Sequence, residues 1–124
     1  MRRPPYGLCF PCEVLRVIDG DTVVVARRLA SGQLSPHRWR IRLLGCWAPE
    51  RNTPEGREAK AEAERLLAKV EFPSVFIPGP LDAEDILSGT TLGRLLGHVF
   101  IDARTTLSEA MVARGMATRE KREG

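Results

Sequence analysis

Asp19-Gly20-Asp21-Thr22 sets two carboxylates either side of one glycine, and paired carboxylates are the hard oxygen donors that Ca2+ and Mg2+ prefer. Further along the chain come Arg42, then Glu50, then Gly93-Arg94. An arginine can grip phosphate oxygens bidentately and offset the charge that builds up in a transition state. A carboxylate such as Glu50 can take the proton of an attacking water. Together these are the groups needed to cut a phosphodiester. Each alone has a plainer reading: "DGDT" as a turn, Arg42 as the wet side of a strand, Glu50 as a loop cap. Their combination and order point to chemistry.

These residues need a frame. Glu13 to Asp19 and Thr22 to Arg28 are β-branched runs separated by Gly20-Asp21, which reads as two paired strands with a tight turn or bulge. "HRWRIRLL" alternates strictly, with Arg38, Arg40 and Arg42 on one face and Trp39, Ile41 and Leu43 on the other. Thr53-Pro54 supplies an N-cap and a first-turn proline, and the helix it opens is expected to reach about Lys69. Ala59, Ala63, Leu66 and Leu67 form its apolar stripe; Glu58, Lys60, Glu62, Glu64 and Arg65 are expected to be solvated.

"EFPSVFIP" is a fourth strand, kept short or at an edge by its prolines. A long polar loop, 79–93, leads to a fifth, "RLLGHVFID". Thr106-Leu107-Ser108-Glu109 is a capping box opening a short helix that Gly115 closes. Three strands, a helix, two strands and a helix suit a small closed barrel, an α+β fold of the five-stranded OB type. The organisation expected is an N-terminal arm at 1–12, one barrel domain at 13–117 and a polar tail at 118–124.

Composition sets limits on partners. Nineteen Lys and Arg against 16 Asp and Glu give a net charge of only +3, which permits phosphate binding without requiring it. No apolar run is long enough to span a membrane and the first residues lack a leader's apolar stretch, so a soluble, cytoplasmic protein is expected. The "CFPC" at Cys9 to Cys12 has neither a following helix nor a second cysteine pair, so neither redox nor zinc chemistry is favoured.

The segments "VIDGDTVVV", "IRLLGCWAPE", "EGREAKAEAERLL", "LGRLLGHVFID" and "LSEAMVARGMA" resemble the staphylococcal nuclease (thermonuclease) family of OB-fold nucleases, over about Glu13 to Ala117. The resemblance implies that Asp21 is a calcium ligand with Asp19 beside it, and that the Ala48 carbonyl is another. It implies that Arg42 binds the attacked phosphate, that Glu50 is the general base, and that Arg94 assists the transition state or leaving group. The chain departs from the pattern at Trp47, where the family usually has a second aspartate ligand, so weakened Ca2+ affinity is expected. It departs again at Leu92, where an aromatic residue is common, and in showing no counterpart of the family's last helix.

The function expected is metal-dependent hydrolysis of DNA or RNA with little sequence specificity, on single strands in particular. Arg38, Arg40 and Trp47 are candidate nucleic-acid contacts. The rival expectation is an OB-fold module, catalytically impaired, that binds nucleic acid or serves in assembly. A protein partner or a second copy would cover the surface left by the last helix.

Overall fold

The computed structural model describes residues 7–50, 52–78 and 95–119. Five strands close into a barrel in the order β1-β2-β3-β5-β4. They are β1 (Gly7–Asp19), β2 (Thr22–Arg27), β3 (Trp39–Leu43), β4 (Ser74–Pro78) and β5 (Leu95–Phe100). All neighbours are antiparallel except β3 and β5, which run parallel. Helix α1 (Pro54–Ala68) connects β3 to β4, and α2 (Leu107–Ala113) follows β5. This is the expected OB-type architecture. No helix among the described residues is long and apolar enough to cross a membrane.

β1 closes the barrel because it belongs to both sides of it. Its second half pairs with β2 from Cys12 to Asp19, with register shifts after Val14 and Val17. Such bulges bend a strand and add twist, which is what closure demands. Its first half pairs with β4, Gly7 opposite Pro78 through Pro11 opposite Ser74. Residues 7–12 are therefore wall strand rather than an arm. Cys12 is buried and Cys9 exposed, with both thiols free, as residues three apart on a strand must face opposite sides. Burial pushes the Cys12 thiol up to about 12, so it is inert as a nucleophile.

Phe10, Val23, Ile41, Val75 and Val99 fill the interior, each 1% exposed or less. α1 lays Ala59, Ala63 and Leu66 over one end, and α2 adds Leu107 and Met111. Both helix starts form as their sequences predict. The Thr53 hydroxyl accepts from the Gly56 N–H, and Thr106 and Glu109 complete a reciprocal capping box. Gly115, with φ of +74°, takes the left-handed conformation after α2 that a side chain would resist. Glu62 departs from its expected solvated face. It is 8% exposed and pairs with Arg65 and, at 2.9 Å, with Arg114 at the end of α2. The helices thus hold one another through an ion pair as well as through apolar contact.

His98, on β5, has a buried Nδ1 without a hydrogen-bond partner among the described residues. Burial lowers its pKa below the ordinary 6.5, against the upward pull of Glu109. The unfolded chain therefore takes up this proton more readily than the folded one. The corresponding stability is complete above about pH 6.5 and is lost as pH falls through that value toward the lower folded pKa. Urea unfolding at pH 7.5 and pH 5 should show a larger loss for wild type than for His98→Phe; equal losses would refute the assignment.

Candidate active site

The turn between β1 and β2 delivers both carboxylates to the end of the barrel. The Asp21 N–H donates to Asp19 Oδ1 at 3.1 Å, a local bond that holds the turn. Gly20 is required there by close approach. A Cβ on it would lie 2.7 Å from the Ala48 Cβ and 2.8 Å from the Ala59 Cβ, so the acidic turn sits directly against α1 and the chain after β3.

Asp21 faces β3. Its Oδ1 accepts from the Thr22 hydroxyl at 3.1 Å, and its Oδ2 accepts from the Ala48 N–H at 3.0 Å. Arg42 Nη2 stands 3.5 Å from the same Oδ2, and the two side chains are 7% and 13% exposed. The plainer reading of Arg42, as the wet side of β3, does not hold, since the side chain is 7% exposed. It does share a face with Arg40, but the chain at 44–48 folds back over it. Its Nη1 donates to the carbonyls of Leu43, at 2.5 Å, and Cys46, at 2.7 Å. Nη2 is buried and has no hydrogen-bond partner among the described residues.

Trp47 completes the cover. Its ring lies 4.3 Å from the Arg42 guanidinium carbon, a cation–π contact that is strengthened by exclusion of water. The Trp47 backbone is pinned in turn. Its N–H donates to the Thr118 carbonyl at 2.7 Å, and the Thr118 N–H donates back at 3.0 Å. Even so, Trp47 remains 40% exposed. Thr118, assigned by sequence to a polar tail, is thus a structural neighbour of the site. Nothing local in its sequence signals this pairing.

The charges divide unequally between the two aspartates. Burial, followed by the hydrogen bond to the Asp19 carboxyl, pushes Asp21 up to about 6, while the Ala48 N–H and Arg42 oppose the rise. Burial pushes Asp19 up as well, but hydrogen bonds from Asp21 and Thr22 and the charge of Arg42 outweigh it, and its pKa falls below the ordinary value. Asp19 is the more readily ionised of the two.

Among the described residues no three or more His, Cys, Asp or Glu converge as ligands. Asp19 and Asp21 are the carboxylates at the turn, and the Ala48 N–H is turned to Asp21. This donor set suits a divalent ion that keeps much of its water and completes its shell with phosphate oxygens, rather than one enclosed in a protein cage.

Glu50 lies two residues beyond Ala48 and is exposed. Its carbonyl accepts from the Thr53 hydroxyl and N–H, which fixes the backbone, while its carboxylate has no partner among the described residues. Arg38 is exposed and donates to the carbonyls of Ser35 and Pro36, and Arg40 is exposed on β3. Arg94 and Leu92 lie outside the described residues. The fold therefore gathers Asp19, Asp21, Arg42, Trp47 and Ala48 into one cluster, with Glu50 on the chain that leaves it.

Residues 40–124 match the family model described as staphylococcal nuclease homologue. The chain belongs to that family. The match begins within β3, and the two strands before it, which carry the acidic turn, complete the same barrel. A comparison with curated proteins gave no match. In this staphylococcal nuclease homologue, the arginine of the cluster is held through Nη1 by its own chain, while Nη2 makes no hydrogen bond among the described residues.

Proposed function

We propose that the protein is a nuclease-type phosphodiesterase of low turnover, acting on DNA or RNA without marked sequence preference. One observation carries this reading. Arg42, held rigidly through Nη1 by two carbonyls, keeps an unsatisfied Nη2 beside the Asp19–Asp21 turn. Nη2 has an ion pair with Asp21 at 3.5 Å but no hydrogen bond; a buried donor left so is costly, and a phosphate oxygen is the kind of acceptor that would satisfy it. A donor already oriented needs no reorganisation when charge develops on the phosphate.

Asp19 and Asp21 would hold a weakly bound divalent cation, Ca2+ by family resemblance, with the Ala48 carbonyl. When bound, the ion would offset phosphate charge. Glu50, exposed on a fixed backbone, would accept the proton of the attacking water, and Arg94 would support the leaving group. Turnover is kept low by the indole of Trp47, which covers the Arg42 guanidinium and narrows the substrate's approach to it, and by the competition between Arg42 and a cation for Asp21.

That same cover favours a second reading, a binding module in which Arg42 is purely structural. Cleavage of labelled single-stranded DNA at alkaline pH, with Ca2+ or with chelator, separates the two. Metal-dependent cutting is expected, reduced about 100-fold or more in Glu50→Gln, the scale at which loss of a general base is felt. If folded wild type cuts no faster than the variant, the enzyme reading fails and the binding module stands.

A further inference from the structure

The Trp47 ring rests on the Arg42 guanidinium, and the residue as a whole is 40% exposed. An exposed indole commonly slides between rotamers, but this one is held by the cation beneath it, and the backbone that carries it is tied by the paired bonds to Thr118. A rigid aromatic surface loses little entropy when a flat ligand settles on it.

The surroundings indicate which ligand. Leu96 is the register partner of Arg42 across the β3–β5 pair, so its side chain shares that barrel face, and it is 57% exposed. Arg40, two residues along β3 on the same face, is exposed. An exposed indole over Arg42, with an exposed leucine and an exposed arginine on the Arg42 side of the β3–β5 pair, offers stacking area and a phosphate partner. This is the combination that binds unpaired nucleic-acid strands, whose bases are free to stack and whose backbone is anionic.

We infer that Trp47 is a nucleobase-stacking platform, so that the site takes single-stranded nucleic acid by base and phosphate together. The inference rests on the proposal that nucleic acid is the ligand, and it holds whether or not catalysis follows.

The test is binding in chelator, where metal-assisted cleavage is absent. The probes are a thymidine oligomer of about 12 nucleotides, within the span of one OB fold, an abasic oligomer of equal length, and a duplex. Because Trp39 is only 7% exposed, quenching of tryptophan emission on binding should come mainly from Trp47. Wild type should bind the thymidine oligomer about 10-fold or more tightly than the abasic one, with quenching, and the duplex more weakly than the single strand.

Trp47→Leu should erase the preference for bases, and Trp47→Phe should keep most of it, with each variant checked for an intact melting transition. Equal affinity of wild type for the base-bearing and abasic oligomers would overturn stacking while leaving phosphate binding in place. A base preference that survives Trp47→Leu would place stacking elsewhere and overturn the assignment. Equal binding of duplex would overturn it too. Binding of none of the probes would remove both the platform and the nucleic-acid reading, and a concentration-dependent dimer lost in Trp47→Leu would make the face a protein contact instead.

Discussion

Arg42→Ala should unfold at a midpoint roughly 10–20 °C below wild type, corresponding to about 3–5 kcal/mol for a buried charge pair broken on one side. The substitution removes more than a candidate phosphate ligand. It strands the Leu43 and Cys46 carbonyls, leaves Asp21 without its cation and takes away the floor under Trp47. An uncompensated buried carboxylate is the largest part of that cost, so adding Asp21→Asn to Arg42→Ala should recover some of it. Thermal melts of the two single variants and the double variant would measure the coupling. A shift of less than about 1 kcal/mol in Arg42→Ala would mean the guanidinium is no clamp. The practical consequence is that lost cleavage in Arg42→Ala cannot be assigned to chemistry alone, whereas Glu50→Gln changes an exposed side chain.

The second large effect concerns the start of the chain. Phe10→Ala should cost about 3–5 kcal/mol, the range for truncating a buried aromatic side chain. Phe10 is 1% exposed, packs on Trp39 at 5.2 Å between ring centroids, and has Arg27 over its ring at 5.6 Å. Deleting residues 1–12 should go further and abolish cooperative unfolding, because it removes every pairing that β1 makes with β4 and opens the barrel. Circular dichroism through a urea titration would read both. A truncated chain with a sharp transition near that of wild type would show that the barrel closes without this half of β1.

These two residues mark where reading the sequence falls short. Gly7 to Cys12 looks like an arm because its proline and cysteines carry no strand periodicity, and the partners of Gly7 to Pro11, at Ser74 to Pro78, are far away in the chain. Arg42 was assigned to the correct side of β3 by alternation, but alternation says nothing of what later folds over that side. Glu62 is the same case on a helix: its position on the wheel is polar, and it is buried because Arg114 arrives from α2.

What the sequence determined by itself was local and periodic. The helix starts at Thr53 and Thr106, the glycine stop at Gly115, the alternation of β3 and the "DGDT" turn all arise from backbone preferences and hydrogen bonds within a few residues. Their order also made a small closed barrel the expected architecture, and the chain's family was legible in the same segments. Tertiary structure alone decided which faces are covered: that β1 reaches both of its neighbours, that Thr118 pins Trp47, and that Trp47 lies on Arg42. The physical reason is that a period of two or of 3.6 residues specifies the direction a side chain points, whereas burial depends on distant segments that meet only when the barrel closes.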